Sequence, residues 1–293
     1  IIVCMTDQDR QVKNQLFQSN SPVSSVPIKQ ALEQELGFDI PVASVPIPSM
    51  GLVYPESHPF HNLEEVEIYG MTATEENILT SPALIKKGTV MNELMKRCLV
   101  DKRVDPNSLI SGDRASILYS IRSTGYGAEY PIKVKCPGCE AEVDKESSIS
   151  DFQLKELDLE SGLKQVRASE NLFSFTLPLC KKEVQFKLMT GEDENRLIQS
   201  SEARKKAGMK NDSTITERWL NTLVSVDGKT DRAFIGKFVQ SMRAGDSLAL
   251  RKHIDLNQPN VDTSFTFECD MCNHQEVMQV PIGLDFFWPD TAR

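Results

Sequence analysis

The feature that most constrains this chain is a pair of Cys-x-x-Cys motifs in distant parts of the sequence. Cys136 and Cys139 stand in KCPGCE, and Cys269 and Cys272 stand in ECDMCN, 133 positions later. Two such turns supply four thiolates, a tetrahedral ligand set that Zn²⁺ prefers, with Zn–S distances of about 2.3 Å. We therefore predict one structural Zn²⁺ site, because four sulfur ligands leave no coordination position open for water. Its ligands are Cys136, Cys139, Cys269 and Cys272.

Three other interpretations of the cysteines stay open: a metal-free relic, a redox-active dithiol and two separate sites. A redox-active Cys-x-x-Cys normally opens a helix, whose N-terminus lowers the thiol pKa. Here the motifs stand in VKCPGCEAEV and FTFECDMCNHQEV, which predict short strands on both sides of a tight turn. His274 competes as a ligand, although its place two residues after Cys272 favours a position beside the site.

The sequence before the two motifs also repeats. Residues 65–79 read EVEIYGMTATEENIL and residues 183–197 read EVQFKLMTGEDENRL, with Val, Met, Thr, Glu, Asn and Leu at equal positions. Gly-Asp pairs at 112–113 and 245–246 each open a helical pattern that leads through a β-prone stretch to a Cys-x-x-Cys. Such self-similarity indicates a duplicated unit. The order strand, capped helix, two further helices, strand, Cys-x-x-Cys and strand is expected twice.

The predicted fold class is α+β, with two tandem pseudo-repeats of helices and short β-ribbons joined by a zinc-ribbon-like site of four cysteines. We place an N-terminal arm at 1–43, with a short amphipathic helix in IKQALEQELGF, the first repeat at 44–155 and the second at 156–293. If the repeats face each other across a pseudo-twofold axis, one zinc ion joins them. The long separation of the motifs then follows, because the intervening residues form most of a repeat. A site shared between two chains is the open alternative.

Local signals define helix starts and buried faces. Two capping boxes are predicted, Thr72 with Glu75 and Thr190 with Asp193. The aspartates of the Gly-Asp pairs, Asp113 and Asp246, are predicted to cap their own helices. Helical spacing predicts two buried faces, formed by Ile117, Leu118 and Ile121 and by Ile215, Trp219, Leu220 and Leu223.

Composition limits the classes of function. The formal net charge of −9 disfavours binding to nucleic-acid phosphates, because that affinity comes from clustered Lys and Arg. No apolar run approaches the roughly 20 residues of a membrane span, so none is expected. With no secretory signal predicted, the seven cysteines are more typical of metal ligands and buried thiols than of disulfides. Cys98 and Cys180 are interpreted as buried thiols.

The sequence predicts no catalytic constellation. Gly-Asp-Ser-Leu at 245–248 spells the motif that names a family of serine hydrolases, with Ser247 as the nucleophile. That motif lies late in this chain, the first repeat has arginine in place of the serine, and no Asp-x-x-His pair follows. His58 and His61 have no acidic partner at a recognised spacing and are interpreted as a satisfied loop pair. The closing FFWPD is expected to fill the core, with a partner contact as the alternative.

Several stretches carry a resemblance to a known family. They are ENILTSPALIKKGTVMNELMKRCLVD, GDRASILYSIRSTGYGAEYPIKVKCPGC, SVDG, FECDMC and DFFWPD. Together they resemble the baseplate proteins of T4-type contractile-tailed bacteriophages, and among these the hub and hub-assembly proteins most closely. The resemblance covers residues 44 to 290 and leaves out the N-terminal arm.

The resemblance implies a non-enzymatic structural or assembly component of a viral tail baseplate. Such a protein is assembled in the bacterial host cytoplasm, resides in the virion and contacts other baseplate or tail proteins, with self-association left open. Two rival functions remain. One is a zinc ribbon that binds nucleic acid, against which Glu140, Glu142, Glu268 and Asp270 crowd the motifs. The other is a serine hydrolase that uses Ser247.

Overall fold

The chain alternates helices with short strands, as the α+β prediction requires. The computed structural model describes residues 42–206, 208, 214–282 and 284–287. The predicted arm helix and Trp288 of FFWPD lie outside these residues. The helices are α1 Ala73–Leu79, α2 Pro82–Lys87, α3 Val90–Cys98, α4 Ser111–Tyr126, α5 Gly191–Lys206, α6 Thr214–Thr222, α7 Arg232–Ser241 and α8 Ala244–Asn257. In the described part of the chain, no helix is long and apolar enough to cross a membrane.

The strands are short and pair antiparallel. They are β1 Val42–Pro46, β2 Glu65–Tyr69, β3 Glu129–Lys135, β4 Glu142–Ser148, β5 Gln153–Lys155, β6 Lys164–Gln165, β7 Phe173–Thr176, β8 Glu183–Phe186, β9 Leu223–Val226, β10 Asn260–Asp262, β11 Ser264–Glu268 and β12 Gln275–Gln279. Strands β6 to β9 form one four-stranded sheet in that order, and the other pairs are β1–β2, β3–β4, β11–β12 and β5–β10. The β5–β10 pair joins residues from opposite sides of the predicted repeat boundary.

Both predicted capping boxes are confirmed. The Glu75 carboxylate accepts a hydrogen bond from the Thr72 backbone N–H at 3.1 Å, and the Thr72 hydroxyl accepts from the first turn of α1. At α5 the Asp193 carboxylate accepts from the Thr190 backbone N–H at 3.1 Å, and Asp193 N–H donates back to Thr190 Oγ1 at 3.4 Å. Each box satisfies N–H groups that have no partner within the helix.

Three helices are expected in each half, but the described residues form four α-helices in each, α1 to α4 and α5 to α8. In the first half, Gly88 at φ 68° ends α2 in the left-handed conformation, so α2 and α3 are separate helices. In the second half, Asp231 starts the additional helix α7, and its carboxylate accepts from Phe234 N–H at 2.7 Å. The division of the chain at 155/156 into repeats remains a prediction, and the described residues belong to one compact unit that begins at Pro41.

The predicted capping roles of Asp113 and Asp246 are wrong. The buried Asp113 carboxylate accepts from Ser49 N–H at 2.9 Å, Ser49 Oγ at 2.6 Å and Tyr54 O–H at 2.5 Å, all in the loop between β1 and β2. The Asp246 carboxylate accepts from the N–H groups of Leu179 and Cys180, at 2.7 and 3.2 Å, in the loop between β7 and β8. Each aspartate therefore fixes a hairpin loop to the start of a helix.

The core faces are partly as predicted. Ile117 and Ile121 are buried and Leu118 is half-buried, while Trp219 and Leu223 are buried. Ile215 and Leu220 are exposed instead, by 51% and 37%. Helix α6 thus buries only one edge, around Trp219, and leaves an apolar strip uncovered by the described residues.

The last described residues, 286 and 287, are buried near α4. Phe286 and Phe287 are buried, as expected for FFWPD, and the Phe286 ring meets Tyr119 and Tyr130 edge-on at centroid distances of 5.6 and 4.9 Å. The buried Arg122 side chain donates to the carbonyl oxygens of Phe286, Gly127 and Glu129, at 2.7, 2.6 and 3.2 Å. This buried arginine, which sequence patterns did not single out, secures the C-terminal segment to the first half.

The burial of Asp113 predicts a pH-dependent stability. Burial raises its pKa to about 6, against the opposing hydrogen bonds from Ser49 and Tyr54. Because the pKa of Asp113 is higher in the folded state than its unfolded value of 3.8, the protonated carboxyl group stabilises the fold. This stabilisation is fully present below pH 3.8 and is lost as the pH rises through about 6. From pH 4.5 to 7.5 the wild type should therefore lose about 2 kcal/mol of unfolding free energy relative to Asp113→Asn.

Urea unfolding of both proteins at the two pH values measures this difference, and any effect of pH on the cysteines cancels between them. A difference between Asp113→Asn and the wild type that stays constant with pH would contradict the prediction.

Candidate metal centre

Each Cys-x-x-Cys motif lies in the turn of its own two-stranded hairpin, as the flanking β-prone residues predict. In the first hairpin, β3 and β4 end in the pair Lys135 and Glu142. In the second, β11 and β12 end in the pair Glu268 and Gln275. Buried and exposed residues alternate along β3, which is the period expected of a strand with one covered face.

The two turns have the same backbone geometry. Cys136 N–H donates to Ala141 O at 2.8 Å, and Glu140 N–H donates to Cys136 O at 2.9 Å. In the second turn, Cys269 N–H donates to His274 O at 2.9 Å, and Asn273 N–H donates to Cys269 O at 2.8 Å. The residue after the second cysteine is left-handed in both, with φ 60° at Glu140 and 55° at Asn273.

The four thiols meet in one cluster. All four sulfurs lie within 4.8 Å of one another. Cys136 Sγ is 3.7 Å from Cys272 Sγ, and Cys139 Sγ is 3.7 Å from Cys269 Sγ. A tetrahedral ion with metal–sulfur bonds of about 2.3 Å separates its ligands by about 3.8 Å, whereas a disulfide bond is about 2.05 Å long. The donor set and its spacing therefore fit a four-sulfur metal site.

Hydrogen bonds within the cluster favour the thiolate of Cys269 and oppose that of Cys272. Burial raises the pKa of Cys269. Hydrogen bonds from the N–H groups of Met271 and Cys272 and from the neighbouring thiols outweigh burial, and the pKa falls to about 7. The N–H of His274 lowers the pKa of Cys272, yet the thiols of Cys139 and Cys269, together with burial, raise it to about 12. A divalent cation supplies the charge that allows several adjacent thiolates to form together.

The surroundings hold the two turns against each other. Cys136 and Cys269 are buried while Cys139 and Cys272 are exposed. A Cβ atom on Gly138 would lie 3.2 Å from the His274 side chain, so the first turn approaches the second closely there. His274 stands outside the sulfur cluster, and its Nε2 is 3.3 Å from Glu276 Oε2. This is the position beside the site that the sequence favours.

The surface around the turns is acidic. Glu140, Glu142, Glu268 and Asp270 are exposed, and nearby lysines are paired with two of them. Lys145 Nζ binds Asp270 at 2.8 Å and thereby bridges the two hairpins, and Lys135 Nζ lies 3.3 Å from Glu140. This charge distribution opposes phosphate binding, which weakens the nucleic-acid rival.

The remaining candidate residues have structural partners. His58 Nε2 is 2.8 Å from Ser108 Oγ, and His61 Nδ1 is 2.9 Å from Tyr54 O, so both histidines are hydrogen-bonded near their loop. Cys98 is buried and Cys180 is half-buried. Ser247 Oγ accepts from Trp219 Nε1 at 2.8 Å. The described residues that line the groove at Ser247 include no histidine and no carboxylate, so no base for a serine nucleophile is present there.

The chain was compared with family models, with curated proteins and with solved structures. Residues 61–167 match the family described as T4 bacteriophage base plate protein. The resemblance to T4-type baseplate proteins is thereby confirmed. The baseplate-family segment runs from the loop before β2 to just past β6. It includes the first Cys-x-x-Cys hairpin and covers more than a third of the chain. No match was found among curated proteins or among solved structures.

The left-handed residue of each turn offers a test of the site. A β-branched side chain at φ 60° is strained beyond the cost that Glu already bears there, so Glu140→Ile should lower metal affinity, by about tenfold for each 1.4 kcal/mol of added strain. Glu140→Gly should retain it, because glycine adopts this conformation freely and the exposed ion pair with Lys135 contributes little. Competition with a chromophoric chelator measures both affinities.

Glu142→Ile is the matched control. Residue 142 is exposed and lies in β4, where a β-branched side chain is favoured, so its metal affinity should equal that of the wild type. Equal affinities for Glu140→Ile and Glu142→Ile would exclude a role for the left-handed turn.

Proposed function

We propose that this protein is a structural or assembly component of the baseplate of a contractile phage tail, of the hub or hub-assembly type. The observation that carries this proposal is the baseplate-family match over residues 61–167. The protein works through contacts with other baseplate or tail proteins. It is made in the bacterial host cytoplasm and acts in the tail baseplate.

A bound Zn²⁺ joins the two halves of the protein in this proposal. Its ligands are Cys136, Cys139, Cys269 and Cys272, whose sulfurs already have nearly tetrahedral spacing. The β3–β4 and β11–β12 hairpins are separate two-stranded sheets, and such ribbons are marginally stable alone. Metal binding that occurs only in the folded state adds to the free energy of folding, so zinc fixes one hairpin against the other.

Several observations support a non-enzymatic role. A four-sulfur site has no open position at which zinc could activate water. The hydroxyl of Ser247, the residue that a hydrolase would need, accepts a hydrogen bond from Trp219 and lacks a base in its groove. The protein's outer surface is then available for assembly contacts.

The proposed role predicts the outcome of a genetic experiment. A phage that encodes this chain should yield no complete tails when the reading frame is deleted, and Ser247→Ala supplied in trans should restore them fully. Electron microscopy and plaque counts measure the result. Mass spectrometry of purified tails then distinguishes a permanent subunit from a transient assembly factor. Normal tails without the protein, or failure of Ser247→Ala alone, would refute the structural role.

The zinc proposal predicts one ion in each monomer. Native mass spectrometry should show a single Zn²⁺ per chain that chelation removes, and Cys136→Ser or Cys269→Ser should each abolish it, since three sulfurs hold the ion far less tightly. Cys180→Ser, which changes a half-buried thiol away from the cluster, should keep the full complement. Zinc found only in multimers would replace the intramolecular site with one shared between chains.

A further inference from the structure

A groove in the second half, lined by polar and apolar residues alike, has no occupant among the described residues. It lies between α6 and α8, closed on one side by α7, with a volume of about 440 Å³. Ile215 and Leu248 line it and are 51% and 42% exposed. Its one charged lining residue is Arg251, which has no ion pair or hydrogen bond to the described residues. We call it the α6/α8 groove.

The first half has a corresponding groove between α3 and α4. Leu99, just after α3, bridges to Ile68 of β2, and Leu223, just after α6, pairs with Phe186 of β8. Helices α4 and α8 each begin with an aspartate that binds the loop of the preceding hairpin, as shown above for Asp113 and Asp246. Helices α3 and α4 therefore occupy the same places in the first half as α6 and α8 in the second.

The α3/α4 groove is occupied at one side by the start of α5. Ser111 Oγ donates to Glu194 Oε1 at 2.5 Å, and Arg114 Nε lies 3.3 Å from Glu194 Oε2. Asn195 Nδ2 donates to Asn107 Oδ1 at 2.9 Å. The Ser111 backbone N–H also donates a hydrogen bond to Met189 O at 2.9 Å. A Thr-capped helix start bearing Glu and Asn thus docks beside this type of groove.

The first half carries the same kind of helix start, and it is exposed. Helix α1 follows Met71-Thr72 as α5 follows Met189-Thr190, and Glu76 and Asn77 stand where α5 has Glu194 and Asn195. Both Glu76 and Asn77 are exposed. Glu64, Glu65 and Glu67, in and just before the strand that leads to α1, are exposed as well, so the sequence around the α1 start is acidic. At the α6/α8 groove, Arg251 and the exposed Arg243 at the start of α8 supply the opposite charge.

We propose that the α6/α8 groove binds the α1 start of a second copy of this chain. The contact uses the pair of helices equivalent to α3 and α4, on which α5 docks within one chain. Arg251 takes the role of Arg114, because Ser247 stands at the position of Arg114 in α8. It joins two different surfaces, so it is heterologous: each bound copy presents a free groove at one end and a free α1 at the other. The assembly grows head to tail and ends as a ring if the rotation closes.

Sedimentation velocity over a range of concentrations tests this on the full-length, zinc-loaded protein. The wild type should associate as concentration rises. Leu248→Asp places a charge in the groove, and Glu76→Arg reverses the charge on α1, so each should weaken association at least tenfold. Leu256→Asp is the matched control, because Leu256 is exposed by 71% on the same helix and does not line the groove.

Mixing the two variants identifies the geometry. A Leu248→Asp chain keeps a working α1, and a Glu76→Arg chain keeps a working groove, so the mixture should form one heterodimer and nothing larger. Arg251→Glu should likewise weaken association, and Glu76→Arg should restore it when mixed with Arg251→Glu. Zinc content, measured on every variant, should stay at the wild-type value, which separates this contact from the cysteine site.

Three results would overturn the proposal. The first is a wild type that stays monomeric up to its solubility limit. The second is association that Leu248→Asp leaves unchanged. The third is a mixture of Leu248→Asp and Glu76→Arg that fails to dimerise although each variant is folded by its thermal unfolding curve, since this indicates a symmetric interface.

Discussion

The four-cysteine cluster depends on one constraint: after α8 the chain comes back into contact with helix α4. The carbonyl group of Pro259 lies against Gly112, where a Cβ atom would be 2.0 Å from the Pro259 oxygen. The next residues pair with β5 in β10. Further on, Phe286 O accepts from Arg122. The β11–β12 hairpin lies between these attachments, so its thiols are brought to Cys136 and Cys139 from both ends.

The attachment at Arg122 uses carbonyl oxygens instead of a carboxylate. Burial lowers the pKa of Arg122, which is the direction expected when a cation leaves water without a full counter-charge. Three carbonyl oxygens and the faces of Tyr126 and Phe286, 5.3 and 5.7 Å from the guanidinium carbon, offset part of that cost. These hydrogen bonds attach residue 286 to the end of α4 and to the start of β3.

The sequence predicted those features whose partners are close in the chain or chemically distinctive. The capping boxes at Thr72 and Thr190 involve residues three positions apart, and four thiols at two equal spacings allow few uses other than a metal. Asp113 was misassigned because its partners, Ser49 and Tyr54, lie in another element. Ile215 fits the apolar side of α6, yet spacing alone gives no indication of whether a neighbour covers that side. Arg122 carried no local signal at all, since a mid-helix arginine is ordinarily solvated.

The cysteine cluster and the helix contacts differ in symmetry, and that difference has a consequence for assembly. Exchanging the two motifs maps the Cys136–Cys272 pair onto the Cys269–Cys139 pair, and both distances are 3.7 Å. The cluster thus has a twofold arrangement, and all four of its sulfurs come from one chain. The docking of α5 beside α4 has no such counterpart, because Glu76 of α1 instead accepts from Tyr126 O–H at 3.0 Å in its own half. A symmetric set of ligands within one chain can fix the shape of a subunit, whereas a one-way contact joins two different surfaces, which is the geometry of a head-to-tail interface.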